Sequence, residues 1–225
     1  MNPFCSIILL LYTNYLVYHY SGIFLGLISS LIVIYKISYI LGKTRTPTIF
    51  LGSFQQGLSY TKDYFGSYTQ HKGAFLEAKK LIEKYKLKDF VLIAIYYDKP
   101  GSMDDNKLRS SIGIYKRSKW SPEKIPEEFE KYCEENGYNK TELPDTSSLC
   151  CIWDYFNYNS MMIGIKKFYK LFEVKIRDGN FRKMYNIDEN KTKISIEVYE
   201  SIDSYISFYV PLTNNENFMV FKKNR

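Results

Sequence analysis

The chain has 225 residues, 45% of them hydrophobic, with 22 tyrosines and 15 phenylalanines against 12 glycines and 7 prolines. That is enough apolar material for one packed domain with something extra, and it excludes wholesale disorder. The formal net charge of +7 suits an anionic surface, but the lysines are scattered among acids without a dense Lys/Arg block, so no nucleic-acid partner is expected.

No Asp, Glu, Lys or Arg occurs from Met1 to Tyr35. The run exceeds the roughly 20 apolar residues that span a bilayer. A secretory signal would start basic and have a shorter apolar core, so residues 1–35 read as a retained membrane anchor. The first expectation is a single tilted span; the second is a hairpin bent at Ser21-Gly22. Tyr12, Tyr15, Tyr18 and Tyr20 suit an interfacial belt. Lys36, Lys43 and Arg45 follow the run, and the positive-inside tendency places everything after Lys36 in the cytosol. There the sequons at Asn139 and Asn190 would go unused. Cys133, Cys150 and Cys151 show no CxxC or metal spacing, so they read as reduced and structural.

In the next stretch, "ISYILGKTRTPTIFLGSFQQG" reads as two short strands around a Thr/Pro turn, and "TKDYFGSYTQ" as a loop. Phe75, Ala78, Ile82 and Tyr85 recur at helical spacing from His71 to Tyr85. Phe90–Tyr97 is a strand, broken by Asp98-Lys-Pro-Gly101, and Arg109–Tyr115 returns. A short acidic helix follows, with Ser121 as cap, Pro122 or Pro126 opening it and Gly137 closing it. Ser148–Tyr155 is a strand. Met161, Ile165, Phe168, Phe172 and Ile176 mark a second main helix that ends before Gly179. "KISIEVYE" and "SYISFYVPL" form a last hairpin.

Strand, helix, strand, strand thus occurs twice. Two such halves predict an α+β domain over residues 36–212, with a curved antiparallel sheet and both helices on one face; residues 213–225 are a short tail. Alternation along the strands opposes two sets of side chains. Ile194, Ile196 and Val198 oppose Glu197 and Tyr199. Val91, Ile93 and Ile95, taken as helix-facing, leave Tyr96 on the other side. Ile112 and Ile114 leave Tyr115, and Trp153 shares a face with Tyr155. Tyr96, Tyr115, Trp153, Glu197, Tyr199 and Tyr209 are therefore expected to converge on a helix-free face. A carboxylate among aromatic rings suits a cationic or aromatic ligand. The alternative is plain sheet packing with a solvated glutamate.

Catalytic patterns are lacking. His19 falls in the apolar run and His71 stands alone at a helix start, expected at the surface. No P-loop, dinucleotide fingerprint, nucleophile elbow or metal spacing occurs. Asp104-Asp105 and Glu127-Glu128 read as solvated pairs. No enzyme activity, cofactor or metal is expected.

"VLIAIYYDKPGSMDDNKLRSSIGI" resembles the hairpin of the gyrase-inhibitor-like (GyrI-like) domain in the testis-expressed protein 264 family of endoplasmic-reticulum-phagy receptors. "SIEVYE" with "ISFYVPL" resembles the closing hairpin of GyrI-like domains generally, and "YSGIFLG" resembles that family's anchor. The resemblance implies a single-pass anchor in the endoplasmic reticulum and a cytosolic GyrI-like domain. It also implies an adaptor role in reticulophagy, with autophagy ubiquitin-like proteins and the p97 ATPase as partners. The alternatives are a membrane-tethered module that binds hydrophobic cations at the Glu197 cleft, or a hydrolase.

Overall fold

The computed structural model describes residues 3–21, 23–117, 125–188, 194–200, 205–213 and 218. Ser121, Pro122, Asn190 and the bend at Gly22 lie outside the described residues. The chain forms two compact units. One holds Met1–Pro47 and Trp153–Leu171; the other holds Thr48–Ile152 and Phe172–Arg225. This division differs from the expected boundary at Tyr35.

The first unit begins with two helices, α1 (Pro3–Ser21) and α2 (Ile23–Ile40), packed against one another. Asn14 Nδ2 donates to Ser30 Oγ across the pair at 3.4 Å. The single tilted span therefore does not form. Among the described residues no helix is long and apolar enough to cross a membrane. The expected strand at Ile37–Leu41 is the last turn of α2. Gly42, in the left-handed region at φ +79°, closes it: the Lys43 N–H bonds to the Ser38 carbonyl and the Gly42 N–H to Tyr39, a glycine-closed helix end. The Lys167 ammonium then donates to the carbonyls of Gly42 (2.9 Å), Lys43 (2.7 Å) and Arg45, where a cation suits a helix C-terminus.

The strands are β1 (Phe50–Phe54), β2 (Gly57–Phe65), β3 (Phe90–Tyr96), β4 (Arg109–Lys116), β5 (Asn139–Leu143), β6 (Thr146–Asp154), β7 (Ser195–Glu200) and β8 (Tyr205–Pro211). The further helices are α3 (Lys72–Lys84), α4 (Glu127–Glu135), α5 (Tyr158–Arg177) and α6 (Gly179–Tyr185). The eight strands form one sheet in the order β1-β6-β8-β7-β3-β4-β2-β5. The two halves, β2-α3-β3-β4 and β6-α5-β7-β8, are legible in that order. Each half places its first strand outermost and its last in the middle, and β3 pairs antiparallel with β7 where the halves join. The fold is α+β.

Three elements depart from expectation. Thr61–Phe65, read as loop, is the second half of β2, because β4 pairs with it as far as Phe65, while β5 reaches only to Thr61. β5 and α6 replace expected loops; the Asp178 carboxylate caps α6 by accepting from the backbone of Asn180 (2.9 Å) and Phe181.

On β3 and β7 the sheet faces are the reverse of those expected, whereas Ile114 of β4 faces the helices as expected. Leu92 of β3 and Ile114 of β4 pack with Ala78, Leu81 and Ile82 of α3, and with Phe129 and Cys133 of α4. Ile93, Ile95, Ile196 and Val198 lie on the opposite face with Phe54, Tyr97, Tyr115, Leu143 and Phe218. Alternation fixes which residues oppose each other. It does not fix which set the helices cover, and here both sets are apolar enough to be core.

The β3–β4 connection is clamped at its base. Asp98, 8% exposed, accepts from Arg109 Nε (2.9 Å), Nη2 (2.8 Å) and backbone N–H (2.8 Å). Burial pushes the Asp98 carboxyl up, but hydrogen bonds and charge from Arg109 outweigh it, and the group lies below its ordinary value. A depressed carboxyl contributes stability above its unfolded value, about 3.9, and loses it as pH falls through the folded value. Asp98→Asn is therefore expected to cost about 1–2 kcal/mol near neutrality, since Arg109 is partly solvated. The difference from wild type should shrink below about pH 4 in urea melts run across pH.

Candidate functional site

Glu197 lies in the middle of β7. It pairs with Ala94 of β3 and Phe208 of β8. The small Ala94 side chain beside it leaves space on that face for a carboxylate. Glu197 is 2% exposed, and a buried charge needs partners. Tyr199, two residues on and on the same face, donates its hydroxyl to Glu197 Oε2. Tyr96, on neighbouring β3, shares hydrogen bonds with both Tyr199 and Glu197. Burial first, and then the negative charge of Glu197, hold the Tyr96 phenol well above its ordinary value. A phenol kept protonated remains a donor to a carboxylate.

Aromatic rings from the chain before β3 surround this trio. Phe75 of α3 stands edge-on to Tyr199 at 4.9 Å between centroids. Tyr68 lies 4.6 Å from Tyr96, and His71 stacks on Tyr96 at 6.3 Å and 16°. The Tyr68 hydroxyl donates to the Asp98 carbonyl (2.8 Å) and reaches that of Arg109 (3.0 Å), tying this rim to the clamped hairpin. Tyr68 and Phe75 are half-buried.

His71 is not the surface residue expected; it is 6% exposed. Its Nε2 lies 3.3 Å from Ser110 Oγ, and burial lowers its pKa, so the imidazole is neutral at physiological pH. Its Nδ1 has no hydrogen-bond partner among the described residues. Among the described residues no acid orients the Ser110–His71 pair as in a hydrolytic triad. Asp104, Asp105, Glu127 and Glu128 are exposed. No cluster of His, Cys, Asp and Glu among the described residues could hold a metal ion.

Of the six residues expected to converge, Tyr96, Glu197 and Tyr199 do, on the helix-covered face. Tyr115 pairs with Val91, and Tyr209 with Ile196, so both lie on the other face. There each packs on Phe54, at 5.2 and 5.3 Å, and the Tyr115 hydroxyl donates to the Gln55 carbonyl at 2.6 Å. For Tyr209 the physical reason is register: Glu197 stands opposite Phe208, so Tyr209 falls on the alternate face. Trp153 belongs to the first unit. Its indole N–H donates to the Ser160 carbonyl (3.0 Å) and the Arg45 guanidinium lies 4.4 Å over its ring. Gly164 leaves room for it, since a Cβ there would come within 2.2 Å of the ring. Sequence reasoning missed Tyr68 and His71, and used Phe75 only as core. The signal was present: His71 and Phe75 are four apart, on one face of a helix start.

No protein-family model matches the sequence, and no curated protein matches it. Solved structures do. The chain is similar to the EcmrR C-terminal domain, at 9% identity over 73% of this chain and 96% of that one, with a TM-score of 0.44. It is similar to SAV2435 bound to tetraphenylphosphonium, at 11% identity over 75% and 96%, with a TM-score of 0.45. It is also similar to a hydrolase encoded by lin2189 from Listeria innocua, at 10% identity over 78% and 97%, with a TM-score of 0.42. At these scores and identities the matches transfer nothing to this chain, whose topology and buried site stand on the geometry above.

Proposed function

We propose that the second unit is a small-molecule-binding domain of the GyrI-like kind, and that it takes a hydrophobic, aromatic cation over Glu197. One observation carries this reading. A carboxylate 2% exposed sits mid-sheet, held by the phenols of Tyr96 and Tyr199, with half-buried rings at its rim. Taking an ion out of water costs several kcal/mol, and a cation arriving with its own apolar rings offsets that cost. Aromatic faces add cation–π attraction, about 0.5–2 kcal/mol each. The reading is of binding without bond-making; among the described residues His71 Nδ1 meets no hydrogen-bonding acid.

A thermal-shift panel tests the class of ligand. Tetraphenylphosphonium and a planar aromatic ammonium should raise the melting temperature in proportion to occupancy. The neutral isosteres tetraphenylmethane-like in shape, and an aromatic sulfonate, should not. Equal shifts with neutral and cationic compounds would show that the rings, and not Glu197, select the ligand.

A further inference from the structure

We propose that the α1–α2 hairpin is a re-entrant membrane anchor, inserted from one side of a bilayer so that both of its ends stay on that side. Up to Tyr35 the surface it presents carries no charged side chain and is apolar apart from tyrosine phenols and the Thr13 hydroxyl. On α1, Ile8, Tyr12 and Tyr15 are 62%, 60% and 65% exposed; on α2, Leu27, Leu31, Ile34 and Tyr35 are 58%, 66%, 59% and 57% exposed. Both sets follow helical spacing, so each helix carries a continuous apolar face. An exposed patch of this kind marks a binding surface.

The Thr13 and Ser30 hydroxyls and the Asn14 amide nitrogen are paired within the hairpin, and among the described residues only Asn14 Oδ1 is buried there without a partner. Thr13 Oγ1 donates back to the Leu9 carbonyl at 2.8 Å, Ser30 Oγ to the Gly26 carbonyl at 2.9 Å, and Asn14 Nδ2 crosses to Ser30. Internal pairing is what hydrocarbon requires and what a solvated helix does not need. Asn14 and Ser30 lie equally far from residue 22, which makes the pair the mid-seam of an antiparallel hairpin. The first 35 residues carry no charged side chain, and the first cations, Lys36 and Lys43, are exposed at the open end of the hairpin. That arrangement complements an anionic headgroup layer.

Length settles insertion against crossing. The charge-free part of α2 runs from Ile23 to Tyr35. At ~1.5 Å per residue it reaches about 20 Å, short of the roughly 30 Å hydrocarbon core. The hairpin therefore enters one side and turns back.

Full-length protein bound to sealed vesicles of phosphatidylcholine and phosphatidylserine tests this. Cys5 is exposed near the open end, while Cys133, Cys150 and Cys151 are buried, so a membrane-impermeant maleimide reports on Cys5. The expected result is co-sedimentation with vesicles and Cys5 labelling without detergent. Leu31→Asp with Ile34→Asp should cut vesicle binding at least ten-fold while the thermal melt is unchanged. Cys5 protected until detergent opens the vesicles would place the two ends on opposite sides and overturn the proposal. Protein left in the supernatant, whether monomeric or paired through these faces by light scattering, would overturn it too. Neither outcome touches cation binding at Glu197, which is read separately.

Discussion

Gly113→Ala is expected to destabilise the domain by about 4 kcal/mol or more, a loss reserved for severe core defects. Gly113 sits mid-way along β4, between β2 and β3, and pairs with Thr61 and Ile93. A Cβ at this position would lie 1.9 Å from the Tyr60 carbonyl oxygen and 2.8 Å from the Thr61 Cα. Both are backbone atoms of β2, so no side-chain rotation can relieve the overlap. Either β2 moves off β4 or the strand bends, and each breaks ladder hydrogen bonds in a buried sheet. Total stabilities are about 5–15 kcal/mol, so the variant should melt far below wild type or fail to fold. Gly73→Ala is the control of opposite sign. Nothing lies within 4 Å of a Cβ there, and a helical alanine should be neutral or stabilising by about 0.5 kcal/mol. Urea melts of the two variants check this; a Gly113→Ala protein as stable as wild type would mean that β2 and β4 do not approach so closely.

The second large effect is on binding. Glu197→Gln is expected to weaken a hydrophobic cation about 10- to 100-fold, about 1.4–2.8 kcal/mol. The fold should survive, because a glutamine amide still accepts from Tyr96 and Tyr199 while the charge is gone. The attraction lost is larger than at a surface because the site is poorly solvated. Tyr199→Phe should cost less than ten-fold, since one neutral donor disappears and the ring that meets Phe75 remains. Tyr115→Phe, on the far face of the sheet, should leave affinity unchanged.

The fold was largely legible in the sequence for a simple reason. The order strand, helix, strand, strand occurs twice, and hydrophobic periodicity marks both main helices. Glu197 with Tyr199 was legible because two residues on one strand must share a face. What failed depended on partners distant in sequence. Tyr209 was expected on the face of Glu197, but the β7–β8 register sets Phe208 opposite Glu197 and Tyr209 opposite Ile196. Tyr115 was assigned to the same face as Tyr96, although an odd–even offset across the β3–β4 turn sets it opposite Val91. Nothing in the letters of His71 shows that Ser110 and Tyr96, far along the chain, close over it. The strand Asn139–Leu143 is polar except for Leu143 and gains its identity only from pairing with β2. The apolar first 35 residues were read by composition as one span, and the internal Asn14–Ser30 pair that makes them a hairpin is a tertiary contact.

Isothermal titration of tetraphenylphosphonium into wild-type protein and into Glu197→Gln, both confirmed folded by near-ultraviolet dichroism, is the most direct measurement. Saturable one-site binding to wild type and a loss of about 10- to 100-fold in the variant are expected. Equal affinity for both proteins, or no binding to wild type at concentrations where the folded site is intact, would contradict cation binding over Glu197.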